Sequence, residues 1–352
     1  MKLYPSITLK FIVWLIVLFI IFFFGFSNFP QSENGKEAFL DNLANWDGGH
    51  YIGIAKYGYS EKFQYAFFPL YPMVINFVSK VTGNFTTAAV LISIVSSLLA
   101  LRILFELISL DYTKKIAERS LHFLLFFPAA FYLTVAYSEG LFLFLTVSAF
   151  LFARKHKLLL ATLFAALAGG TRLVGLAVSL SLILQIYLTE GINKKNWIVL
   201  LSPLGFIIYC IYLFQATGDP FYFIYAENHW QRVITVPGLS FWETIQTLSG
   251  KNITENFNAV LDLLFAILGL GLILRSFRFL PIQYSVYSLL SIAFPLFTPT
   301  LSSMPRFLLP VFPIFIVLGL MREGVFSFAY KIFSLMLLSA FAILFINGYW
   351  VS

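Results

Sequence analysis

The sequence predicts an all-helical, polytopic membrane protein, and three observations lead there. Hydrophobic residues make up 60% of the 352 and charged residues only 11%, a balance that soluble globular domains do not carry. Apolar runs long enough to cross a bilayer recur from end to end. Those runs are continuous rather than alternating, which argues against a β-barrel. The formal net charge of +7 does not call for nucleic acid, because excess Lys and Arg in membrane proteins gathers in cytoplasmic loops. The single cysteine, Cys210, offers neither an internal disulfide nor a metal cluster.

Taken in order, the first run, Phe11 to Phe26, is too long for a signal-peptide core and is read as a retained span. A ruler of about 20 apolar residues per crossing gives about eleven spans: 11–29, 84–109, 120–137, 139–153, 158–171, 173–189, 197–215, 258–274, 282–299, 306–320 and 329–348. Residues 121–153 and 158–189 would each make a helix of about 48 Å, well beyond a core of about 30 Å. Each carries a charge near its middle, Glu139 and Arg172. A charge is costly at mid-bilayer and tolerable at a hairpin tip, so both runs are split into hairpins. Segment 65–80 is short and holds Pro69 and Pro72, which suits a re-entrant or interfacial element.

The positive-inside rule then sets the orientation. Lys2, Lys10, Lys114, Lys115, Arg119, Arg154, Lys155, Lys157, Lys194, Lys195, Arg275, Arg278, Arg322 and Lys331 all fall in alternate connections, read as cytoplasmic together with the N-terminus. The outer connections are 30–83, the tips at 138 and 172, 216–257 and 300–305. The chain 1–352 reads as one membrane domain, with outer loops 30–83 and 216–257 carrying the chemistry. No strong internal repeat is visible, which weakens a transporter built from inverted halves.

The polar residues able to do chemistry collect on the outer side. Asn45-Trp46-Asp47-Gly48-Gly49-His50-Tyr51 puts a carboxylate and an imidazole in a short polar segment. A carboxylate in a partly dry pocket suits general-base work; the alternative is a helix N-cap. His50 shares a face with Asp47 if the stretch is helical, and binds an oxygen or simply lies at the membrane edge. Phe67-Phe68-Pro69-Leu70-Tyr71-Pro72 suits a bent, interfacial segment or the wall of a lipid groove. Pro128 is expected to kink its helix, and Glu139 to cap the outer end, paired with Arg172 or Arg306. Those two arginines suit bidentate contact with phosphate or snorkelling to headgroups. Glu227-Asn228-His229-Trp230-Gln231-Arg232 suits either sugar recognition or an amphipathic interfacial helix.

At these residues the chain resembles a known family. Trp46-Asp47-x-x-His50-Tyr51, Ala55-x-x-Gly58-Tyr59, Phe67-Phe68-Pro69-Leu70-Tyr71-Pro72, Phe127-Pro128-Ala129, Ala136-Tyr137-Ser138-Glu139, Thr171-Arg172-x-x-Gly175 and Pro305-Arg306-Phe307 are similar to the second mannosyltransferase of glycosylphosphatidylinositol assembly, the PIG-V-like family, and its prokaryotic relatives. The resemblance implies a GT-C bundle and inverting transfer of a sugar, mannose being expected, from a polyprenyl-phosphate donor at the extracytoplasmic face. It implies Asp47 as the base. His50, Tyr51, Glu139, Arg172, His229, Trp230 and Arg306 are the expected donor and acceptor contacts. No metal, cofactor or nucleic acid is expected. The partners are the lipid-linked donor, membrane lipids and an acceptor that is a glycolipid, a glycan or a protein. Short loops suggest a prokaryotic plasma-membrane enzyme. The competing readings are a transporter or lipid flippase, and a non-catalytic membrane subunit.

Overall fold

The apolar runs become helices, but proline decides where several of them stop. The computed structural model describes residues 5–249, 256–321 and 323–351; Lys2 and Arg322, counted above among the cytoplasmic charges, lie outside these residues. The first half holds α1 (Pro5–Asn28), α2 (Phe39–Asn42), α3 (Asp47–Tyr57), α4 (Leu70–Thr82), α5 (Phe85–Ile108), α6 (Lys114–Leu125), α7 (Glu139–Arg154), α8 (Leu158–Thr171) and α9 (Gly175–Glu190). The second half holds α10 (Leu204–Thr217), α11 (Tyr222–Ala226), α12 (Leu239–Ser249), α13 (Phe257–Phe279), α14 (Ile282–Leu296), α15 (Met304–Leu308), α16 (Phe312–Leu320) and α17 (Val325–Ile346). No strand occurs among the described residues.

Five of the expected spans correspond to helical stretches of 20 to 24 residues, at 5–28, 85–108, 197–217, 257–279 and 327–346. At about 1.5 Å per residue these reach about 30–36 Å, the thickness of a hydrocarbon core. The hairpin splits also fall where expected, with α7 starting at Glu139 and α8 ending at Thr171. Lipid-facing surface is plain on α1, where Ile12, Ile16, Ile20 and Phe23 are exposed while Phe11, Leu18 and Phe22 are buried.

Two expected spans are broken. Segment 120–137 is not one kinked helix. α6 ends at Leu125, and residues 126–138 run through turns and a 3-10 turn at Ala130–Leu133. Pro128 lacks the amide that would continue the helix and disfavours helical geometry in Phe127. Segment 306–320 is likewise divided into α15 and α16, with Pro310 at the join.

Irregular backbone in a membrane protein must have its polar groups satisfied from within. Ser97 on α5 donates to the Leu133 carbonyl at 2.7 Å and Ser93 to the Tyr137 carbonyl at 2.9 Å. The Ala136 amide donates to the Leu43 carbonyl at 2.9 Å. Tyr287 donates to the Pro310 carbonyl at 2.9 Å. Segment 126–138 is almost wholly buried, so these bonds are made away from solvent.

The basic connections gather at one end of the bundle. Arg154 grips Asp111 through two bonds of 2.6 Å. Lys10 pairs with Glu118 at 3.0 Å, Lys155 with Glu106 at 2.5 Å and Arg119 with Glu323 at 3.6 Å. The segments expected outside gather at the other end. There Asn45 donates to the Phe345 carbonyl at 2.9 Å, joining the first outer loop to α17. Within segment 65–80, expected to be re-entrant or interfacial, α4 starts at Leu70, with Pro69 at the cap and Pro72 in the first turn, where no amide is needed. Met73, Phe77 and Val81 lie exposed along one face of α4, as an interfacial helix would present them.

The turn from α8 to α9 is closed on itself. A Cβ on Gly175 would lie 2.4 Å from the Ala168 carbonyl and the Gly169 nitrogen. Gly271 on α13 faces open space. Gly175→Ala should therefore cost about 1–3 kcal/mol through overpacking, whereas Gly271→Ala should stabilise its helix by about 0.5–1 kcal/mol. Denaturant titration of both variants in detergent checks the contrast, and equal stabilities would contradict the packing.

Candidate active site

Asp47 is the first residue of α3 and is enclosed rather than sitting on an open loop, its side chain only 13% exposed. The N-cap alternative is not what forms. Trp46 is the cap residue, with no side-chain capping bond, and the Asp47 carboxylate instead accepts from Arg306 Nη2 at 2.6 Å. Trp46 holds a left-handed φ of 56° with ψ −123°, a strained geometry for a residue with a Cβ. Its ring is held in place by the C-terminal segment: Nε1 donates to the Tyr349 carbonyl at 3.2 Å, and the ring meets Trp350 edge-on at 5.2 Å. A Cβ on Gly48 would stand 3.2 Å from the Ala136 carbonyl, so this glycine lets α3 dock onto the broken segment.

Glu139 is fully buried at the start of α7. Its Oε1 accepts from Arg172 Nη1 at 2.6 Å and lies 2.9 Å from Arg306 Nε. The second contact is an ion pair whose N–H direction misses hydrogen-bond geometry. Both pairings considered for Glu139 from sequence are thus made together. The result is a chain of alternating charge, Asp47, Arg306, Glu139, Arg172, contributed by α3, α15, α7 and the α8–α9 turn. Arg306 also lies over the rings of Tyr137 and Tyr132, 5.1 and 5.6 Å from their centroids.

One cavity collects these groups. Asp47, Tyr51, Arg172, Trp230 and Arg306 line it, together with Glu227 and Arg232. Tyr51 Oη lies 3.0 Å from Ser138 Oγ, and burial pushes its phenol up to about 12, so it remains a neutral hydrogen-bonding group. Burial also raises the Glu227 carboxyl, partly offset by Arg232. Arg232 donates to the Ser302 carbonyl at 2.8 Å and lies over Phe307 at 4.7 Å.

His50 is half-buried on α3, one turn beyond Asp47. Its ring packs among Phe63 at 5.2 Å, Phe67 at 5.3 Å and Trp230 at 6.2 Å, beside the cavity rather than on its wall. His229 is exposed and stacks on Phe63 at 4.3 Å, so of the expected pair only Trp230 reaches the cavity. Sequence reasoning left Arg232, Glu227, Ser138 and Tyr137 out of the expected set. Their signal was proximity to residues already singled out, Trp230 and Glu139. No group of three or more His, Cys, Asp or Glu side chains suited to a metal occurs among the described residues.

The Mannosyltransferase (PIG-V) family profile matches residues 26–227, more than half of the chain. The chain belongs to this family. The match takes in Asp47, His50, Tyr51, Glu139 and Arg172, while His229, Trp230, Arg232 and Arg306 lie beyond it. GPI alpha-1,6-mannosyltransferase 2 of Rattus norvegicus is 33% identical over 153 residues, 40% of this chain and 31% of that protein. Its Homo sapiens counterpart is 29% identical over 151 residues, 40% of this chain and 31% of that one. The shared stretch is therefore about a third of the length of these curated relatives. The crystal structure of ArnT from Cupriavidus metallidurans, bound to undecaprenyl phosphate, superposes with a TM-score of 0.52 at 14% identity, covering 92% of this chain and 62% of that one. The bundle is thus a GT-C-type membrane fold, as the resemblance implied.

Two predictions follow from this geometry. Glu139→Gln removes the carboxylate between two buried arginines and leaves Arg172 without its partner. The expected loss is about 3–5 kcal/mol of stability, read by chemical denaturation beside wild type; a loss below about 1 kcal/mol would contradict the burial of that pair. Burial lowers the His50 pKa below 6.5, with Asp47 partly opposing and His229 adding to the shift. The unfolded chain then binds the extra proton more readily, so this contribution is present above about pH 6.5 and is lost as pH falls toward the folded value. His50 should remain reactive to diethylpyrocarbonate at pH 6, read by mass spectrometry of its peptide. Full protonation at that pH would contradict the expectation.

Proposed function

We propose that this protein transfers a mannosyl group from a polyprenyl-phosphate donor to an acceptor hydroxyl at the extracytoplasmic face, inverting the anomeric carbon, with Asp47 as general base. The observation that carries this reading is the Asp47–Arg306 pair at 2.6 Å in a cavity also lined by Arg172. A base and cations suited to a leaving phosphate thus share one enclosed space. Family membership gives the sugar-transfer class. The name of the rat relative, an alpha-1,6-mannosyltransferase, and the undecaprenyl phosphate bound by ArnT support the sugar and the donor type.

In this reaction the acceptor oxygen attacks the anomeric carbon while Asp47 takes its proton. The new C–O bond forms as the bond between the anomeric carbon and the phosphate oxygen breaks. The electron pair stays on that oxygen, so the phosphate gains one negative charge. Arg306 and Arg172 meet that charge where it develops, which is the part of binding that lowers the barrier. Arg306 serves both partners. As the phosphate draws its guanidinium, the Asp47 oxygen is released to accept the proton. Tyr51 and Trp230 supply a neutral hydroxyl and an apolar face for the sugar. The basic residues gathered at the opposite end of the bundle support this orientation.

Asp47→Asn should reduce transfer from radiolabelled polyprenyl-phosphate mannose to a membrane-lipid extract by about 10²-fold or more, while Glu139 continues to hold Arg306. Label reaching a new product at wild-type rate in the folded variant would remove Asp47 from the base role. Arg306→Ala should weaken donor binding; unchanged donor affinity would take Arg306 out of the phosphate site.

A further inference from the structure

A second, polar cleft adjoins the cavity. It runs between α12, the start of α13, residues 299–302 and the C-terminal segment, and it is lined by Glu243, Thr244, Thr247, Asp262, Thr300 and Tyr349 among others. Trp350 lines both this cleft and the cavity holding Asp47. The same Trp350 packs edge-on against Trp46, the residue before Asp47. Trp350 therefore stands between the two spaces, packed on the residue that precedes the proposed base.

The chemistry of the cleft differs from that of the cavity. No Lys, Arg or His is among its described lining residues. It presents two carboxylates, threonine hydroxyls, the amides of Asn256 and Asn258, and the rings of Tyr349 and Trp350. Carboxylates and amides take up hydroxyl groups, and exposed rings pack on the apolar face of a pyranose. Asp262 is 4% exposed on the otherwise apolar α13, a costly place for an acid. Its Oδ1 accepts from the Met304 amide at 3.0 Å, which ties the cleft to the helix carrying Arg306.

We propose that this cleft binds the saccharide portion of the acceptor, so that a neutral, hydroxyl-rich glycan lies along it and passes one hydroxyl beyond Trp350 to Asp47. The assignment rests on the transferase reading above and narrows its acceptor to a sugar-bearing molecule.

The test uses the full chain in detergent, with mannotriose as probe and saturation-transfer NMR as readout. Wild type should give a signal from mannotriose, and Glu243→Gln combined with Tyr349→Leu should remove most of it. In a transfer assay with octyl mannoside as acceptor, the same double variant should raise the acceptor KM about tenfold and leave donor affinity unchanged. No signal with wild type, equal signals in both proteins, or equal transfer to octyl mannoside and to octanol would overturn the proposal. Mannotriose binding that depends on the cleft, with no transfer by wild type to any acceptor, would uphold the saccharide site and remove the transferase reading instead.

Discussion

The structure depends on one buried carboxylate. Glu139 holds Arg172 and Arg306 at ion-pair distance from the same oxygen, and those arginines come from parts of the chain 134 residues apart (306 − 172). An isolated charge there would be costly to desolvate; removing one partner from a buried pair leaves that cost uncompensated. The alternating order of acid and base from Asp47 to Arg172 spreads the cost over four groups. It also fixes where α3, α7, α15 and the α8–α9 turn meet, because removing Glu139 deprives Arg172 of its ion-pair partner and removing Arg306 deprives Asp47 of its own.

The same region is where the helices stop. Pro128 and Pro310 end helices that hydropathy alone would continue, and the freed carbonyls are taken up by serines on α5 and by Tyr287. Broken backbone lets residues from consecutive turns face one space instead of winding around a helix. Glu139 therefore begins α7 inside the protein, and Arg306 lies on a five-residue helix between two prolines at 305 and 310. Ends of helices supply the chemistry here, while their long apolar bodies, such as α1 and α13, face the bilayer.

Much of this was legible in the sequence. Length and hydropathy located the long spans, and a charge in the middle of an overlong run located the hairpin tips at Glu139 and Arg172. The motif around Asp47 was visible because so few other residues can ionise. What hydropathy could not see was continuity: 120–137 and 306–320 are mostly apolar, with His122 and Arg306 near their starts, and the local effect of proline on the backbone breaks them. Nor could it separate His229 from Trp230, neighbours on one 3-10 turn of which the first is exposed and only the second lines the cavity. Arg232 is drawn into the cavity by Phe307 and the Ser302 carbonyl, contacts 70 or more residues away in sequence that no local pattern announces.

The groups that hold this end of the bundle together are thus the groups that would perform the proposed reaction. Arg306 pairs with Asp47 and lines the cavity that a phosphate would enter in the proposed reaction. In the proposed reaction an anion arriving at Arg306 would take the place of a carboxylate already there. In the proposed step the proton that Asp47 takes from the acceptor would offset the negative charge that the phosphate gains. The exchange at Arg306 also explains why Glu139 stands behind both arginines instead of lining the cavity. A carboxylate that does not exchange is required to hold the cations while the one in front does.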